Sequence, residues 1–82
     1  MKPFVPVASL ALLVACSPQE GDTFSLYRNS ILDPNMRLHV ATFDRADGAN
    51  YNSENCSIAA QLFGAQPGVK TRFWCEKGRF KK

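Results

Sequence analysis

The chain has 82 residues, ten Lys+Arg against seven Asp+Glu, 45% hydrophobic residues and three cysteines. Such a length supports one domain at most, since isolated cores of this size are already marginal. A multi-domain enzyme, a repeat array and a polytopic membrane protein are excluded, and nine aromatic residues beside 21% charged residues exclude a coreless, disordered chain.

Residues 1–15 have the pattern of an export signal. Met1-Lys2 is a short basic start, and the run from Phe4 to Ala15 is apolar except for Ser9. That run is 12 residues long, whereas a helix needs roughly 20 to cross a bilayer. A short apolar run behind one positive charge predicts export and not an anchor or a core helix. The four residues that close it, Leu13-Val14-Ala15-Cys16, resemble the lipobox of bacterial lipoproteins. The resemblance implies diacylglyceryl transfer to the Cys16 sulfur, cleavage before Cys16 and acylation of its new amino group. An ordinary signal peptidase fits less well, because Leu13 stands where a small residue is wanted. Several acyl chains, at about 0.8 kcal/mol per methylene, hold such a protein on a membrane. Ser17 follows the cysteine, where Asp is the inner-membrane signal of enterobacterial lipoproteins, so the expected address is the outer membrane, facing the periplasm.

Cleavage removes Lys2 and leaves 67 residues with nine basic and seven acidic side chains, a formal charge of +2. Two cysteines remain, Cys56 and Cys75. In an oxidising compartment a disulfide is the simplest expectation. The alternatives are a metal site, for which His39 is the only imidazole, and a redox pair, for which the Cys-x-x-Cys spacing is missing. Residues 16–22 are polar and turn-rich and read as a lipidated tether.

Residues 23–82 read as one small α+β domain of strand, strand, helix and strand. We expect a three-stranded, largely antiparallel sheet with the helix on one face and a disulfide staple. Thr23 to Arg28 alternates polar with apolar at period two, the pattern of a half-buried strand. Asp33-Pro34-Asn35 is a turn signal, and Met36 to Phe43 alternates again, so the two runs form a hairpin. In regular alternation Leu38 and Val40 share one face, with Arg37, His39 and Phe43 on the other. Asp44 through Asn52 is rich in Asp, Gly and Asn and reads as a loop; its spacing does not match a calcium-binding loop. Ser53 is the expected helix cap, with Glu54 in the first turn. At 100° per residue Cys56, Ile58, Ala59, Ala60, Leu62 and Phe63 fill one arc, and Gly64 and Pro67-Gly68 end the helix. From Val69 to Glu76 the period is again two, with Val69, Thr71, Phe73 and Cys75 on one face. A helix packed on that face brings Cys56 to Cys75.

The other face of the last strand carries Lys70, Arg72 and Trp74, to which the hairpin adds Arg37, His39, Phe43 and Tyr27. Interleaved aromatic and basic side chains stack on sugars and pair with phosphates or carboxylates. The plainer reading is a wet sheet face covered by the tail through Phe80. Lys70 to Lys82 holds six basic residues, Lys77 and Arg79 among them, and one acid, whereas residues 16–69 hold three basic and six acidic ones. A basic end on a lipid-anchored domain suits anionic lipid headgroups, lipopolysaccharide or an acidic partner, while export argues against nucleic acid. His39 has no assignable Ser or Cys partner, and no phosphate loop or metal-spaced cluster is present, so neither an enzyme nor a metal or cofactor is expected. Tyr-Arg-Asn-Ser, Asn-Cys and Trp-Cys-Glu-Lys-Gly resemble segments of small uncharacterised exported proteins of Gram-negative bacteria, a resemblance that implies no activity. The expected function is a non-catalytic structural or interaction module of the envelope, anchored through Cys16 and contacting envelope protein or polymer. The alternative is a binding module for anionic envelope glycan or lipopolysaccharide on the aromatic–basic face.

Overall fold

A computed structural model describes residues 20–82. The export signal, Cys16 and the tether as far as residue 19 lie outside the described residues. Strands β1 (Phe24–Arg28) and β2 (Leu38–Phe43), helix α1 (Ala49–Gly64) and strand β3 (Phe73–Lys77) follow in chain order. The sheet order is β2-β1-β3, antiparallel throughout. The helix therefore carries the chain across β1 from one edge strand to the other. Glu20–Asp22, at the end of the tether segment, form one 3-10 turn that rests against the helix.

The central position of β1 changes its character. Thr23, Ser25, Leu26 and Tyr27 are all buried, so both faces of this strand are covered, where its alternation predicts only one. Leu26 pairs with Cys75 on one side and Ala41 on the other. Since cross-strand partners share a face, these residues lie under the helix, and the Cys56–Cys75 disulfide closes over them with a Cα separation of 6.2 Å. That distance suits a disulfide without backbone movement. Phe63 stacks on Phe73 at 5.6 Å and extends the same contact toward the helix C-terminus.

Three local expectations need correction. A β-bulge lies between Leu26 and Tyr27 of β1, where Tyr27 pairs with His39, Leu26 pairs with Ala41 and Val40 is the extra residue. One added residue reverses the faces beyond it. Phe43, opposite Phe24, is therefore on the helix side with Leu38, while His39 and Thr42 share the opposite side, joined by a 2.7 Å hydrogen bond. The helix begins at Ala49, four residues before Ser53, and Gly48 at φ 111° caps it without a side-chain hydrogen bond. Only Phe73–Lys77 pair as a strand, so Val69 and Lys70 belong to the connection after Gly68.

The missing helix cap is offset by Asn52, whose side chain is fully buried. Its Nδ2 donates to the carbonyls of Asp22 (2.6 Å) and Arg45 (3.0 Å), and its Oδ1 accepts from the Arg45 amide (3.0 Å). One side chain thus ties the helix to the start of the domain and to the loop after β2. A stretch rich in turn formers becomes helical because tertiary hydrogen bonds outweigh weak local propensity.

Candidate functional site

Ser25, Tyr27, His39, Thr42, Trp74 and Glu76 occupy the sheet face away from the helix, as their cross-strand pairing requires. Tyr27 is its centre and is buried. Trp74 stacks beside it with ring centroids 6.2 Å apart, and His39 meets it edge-on at 5.8 Å. The Arg37 guanidinium lies 4.1 Å above the Tyr27 ring, and Arg72 lies 4.8 Å from the Trp74 ring. Arg37 also donates to both oxygens of Glu76, from Nε at 3.2 and 3.0 Å and from Nη2 at 2.9 Å. Trp74 Nε1 donates to Oε2 of the same carboxylate at 2.8 Å.

The tail closes this face. Gly78, at φ 105°, turns the chain after β3 in a conformation that disfavours other residues. Its amide donates to Thr23 O at 2.7 Å, and Ser25 Oγ donates to its carbonyl at 2.7 Å. Phe80 then lies on His39, ring centroids 4.7 Å apart and nearly parallel, and 6.4 Å from Tyr27. The Arg79 guanidinium meets Asp44 at 3.0 Å. Phe80→Ala should cost about 1–2 kcal/mol, less than a fully buried Phe, because the ring is only half-buried. NMR checks this through the His39 ring protons, which lose the upfield shift that a stacked phenyl imposes.

Hydrogen bonds from Arg37, and secondarily from Trp74, hold the Glu76 carboxyl below its ordinary range, and the same bond raises Arg37. A carboxyl lowered in the folded state binds fewer protons than the unfolded chain at intermediate pH, so it stabilises more as pH rises. Its contribution is complete above the unfolded value of about 4.3 and is lost as pH falls through the lower folded value. The Glu76 side chain is 36% exposed, so solvent screening keeps the effect small. Denaturant midpoints between pH 3 and 7 should show a shallower acid-side decline in Glu76→Gln than in wild type.

The structure brings together Tyr27, Arg37, His39, Arg72 and Trp74 from the aromatic–basic set. Lys70 lies in the α1–β3 connection, Lys77 stands opposite Phe24 at the far end of β3, and Arg79 turns to Asp44. His39 Nε2 is engaged with Thr42 Oγ1. Among the described residues no group of three metal ligands and no pocket is found, and no helix is long and apolar enough to cross a membrane. Chemically, this face is a set of aromatic and ionic contacts that already satisfy one another.

Exposed apolar side chains are the larger surface feature. Ile31 and Leu32, at the tip of the β1–β2 connection, are 69% and 94% exposed. Tyr51, Ile58 and Leu62 lie uncovered along one side of α1, since their spacing of seven and four residues places them in a single stripe. The expected apolar arc of the helix is thus only partly used, with Cys56 inside and Ile58 and Leu62 outside. The tip residues have no periodicity to mark them, whereas Asn52 was findable as the residue four before Cys56 on the same helix face. Comparison with protein-family models, curated proteins and solved structures finds no match.

Proposed function

We propose that the protein is a lipid-anchored module of the bacterial envelope, held through Cys16 at the outer membrane, that binds or braces a partner without catalysis. The export pattern and lipobox resemblance support the address. The observation that carries the binding role is the apolar surface left in solvent on an ordered frame, Ile31 and Leu32 at the tip and Tyr51, Ile58 and Leu62 on the helix. Exposed apolar side chains gathered on one element favour an interaction surface over a solvated one.

The glycan-binding alternative draws on Arg37 above Tyr27 and Arg72 beside Trp74. An anionic sugar would have to displace Phe80 and compete with Glu76 for Arg37, so the exposed apolar surface is the stronger basis. Capture of the tagged full-length protein with envelope proteins, against capture with purified cell-wall polymer, tests the choice. Retention of a specific envelope protein, lost in Ile58→Asp or Leu62→Asp, is expected. Retention by polymer alone, lost in Arg72→Gln, would favour the sugar face.

A further inference from the structure

The β1–β2 connection displays aliphatic side chains on a backbone most of whose amides are bonded within the connection itself. Ser30 and Asp33 exchange amide–carbonyl hydrogen bonds at 3.2 Å, and the Met36 amide donates to Asp33 O at 3.0 Å. The Leu32 amide donates to Ser30 Oγ (3.1 Å), the Asn35 amide to Asp33 Oδ1 (3.0 Å), and Asn29 Nδ2 to Pro34 O (3.2 Å). Pro34 has no N–H to satisfy. Five of the tip's amides, those of Ser30, Leu32, Asp33, Asn35 and Met36, are bonded internally, which lowers the cost of moving the tip out of water. Leu32, Ile31 and Met36 are its exposed apolar side chains.

The base of the tip is basic. Arg28 donates to Asn29 O at 3.2 Å, and the Arg72 backbone is tied to Asn29 in both directions, its carbonyl accepting from Asn29 N and its amide donating to the Asn29 side-chain Oδ1. Lys70 is two residues from Arg72 and exposed, and Arg37 is held by Glu76. The acid within the tip is Asp33, already accepting from Asn35. A convex aliphatic point over a basic collar is complementary to an anionic bilayer surface, with apolar tips among the acyl chains and cations at the phosphates.

We infer that Ile31 and Leu32 insert into an anionic lipid surface as a second membrane contact, steered by Arg28, Lys70 and Arg72. The inference rests on the proposed lipid-anchored envelope role. The start of the domain and the tip sit at opposite ends of the five-residue β1, about 16 Å apart. The chain from Cys16 to Glu20 reaches about 14 Å when extended. A domain lying along the bilayer therefore brings anchor and tip to the same surface.

Leu32→Trp in the full-length protein tests this, because Leu32 is almost wholly exposed and wild type, whose single Trp is Trp74, supplies the background. On vesicles of two parts phosphatidylcholine to one of phosphatidylglycerol, emission from the introduced indole should shift to the blue and be quenched by acyl-brominated lipid. Both effects should fall on pure phosphatidylcholine and in Lys70→Gln with Arg72→Gln. Leu32→Asp should weaken retention of the Cys16→Ser protein on the anionic vesicles by about tenfold or more. Protein that pellets with the vesicles while the introduced indole keeps its free emission would overturn the inference, leaving the N-terminus as the membrane contact. So would a shift seen only on adding an envelope protein, which would make the tip a protein contact. Fatty-acid labelling of Cys16 in the same preparation reports on the anchor separately, so failure of the anchor and failure of the tip give different results.

Discussion

Replacing both Cys56 and Cys75 with alanine should destabilise the domain by about 2–5 kcal/mol. The bond closes a segment of 19 residues, a constraint on the unfolded chain of about 3 kcal/mol in the chain-entropy model. The remaining core is small: Leu26, Tyr27 and Cys56 are the fully buried apolar residues among those described. At roughly 0.05–0.15 kcal/mol per residue, a domain of this size has a total stability of only several kcal/mol. The double variant should therefore melt well below wild type, and reducing agent should lower the wild-type midpoint to match it. A variant that melts with wild type would show that packing of α1 on the sheet holds without the bond.

Asn52→Ala should cost about 2–4 kcal/mol, because it leaves the Asp22 and Arg45 backbone groups without their buried partner. Asn52→Leu keeps most of the volume and none of the hydrogen bonds, so it should be no better than alanine if the polar contacts carry the effect. Asn52→Asp keeps an acceptor for the Arg45 amide but turns an oxygen toward two carbonyls, and should also destabilise. Denaturant midpoints rank the three. Hydrogen exchange at the Arg45 amide should accelerate in Asn52→Ala and Asn52→Leu, since its bond is to this side chain.

These two effects differ in how legible they were. Cys56 stands on the apolar arc of a helical period and Cys75 on one face of a strand period, so two separate patterns point the sulfurs at each other. The same periodicities reveal the two antiparallel strands of the hairpin, the helix and the last strand. Asn52 shares a helix face with Cys56 four residues on, but Asn and Gly between Asp44 and Asn52 favour turns locally, and its bonds to Arg45 and to the distant Asp22 carbonyl belong to no period. The bulge at Val40 left a faint trace: the alternation from Met36 changes phase at the adjacent apolar pair Val40-Ala41. The extra residue there moves Phe43 to the helix side and sets His39 beside Thr42. Sheet order lies outside any period, so β1 reads as half-buried when β3 and the tail in fact enclose it.

The aromatic–basic face shows the same limit in chemical terms. Tyr27, Arg37, His39, Arg72 and Trp74 meet as their pattern predicts, but the pattern does not record that Glu76 takes up Arg37 or that Gly78 returns Phe80 onto His39. Side chains that would stack on a ligand stack on one another. The most exposed of the domain's large apolar side chains are aliphatic, Leu32 and Ile31 foremost.

The central claim is that the domain works from a lipid anchor on Cys16, and metabolic labelling with a fatty-acid probe tests it most directly. The full-length wild type expressed in a Gram-negative host should take up the probe and fractionate with the outer membrane, while Cys16→Ser should take up none. Equal labelling of the two proteins, or none in either, would contradict the anchor.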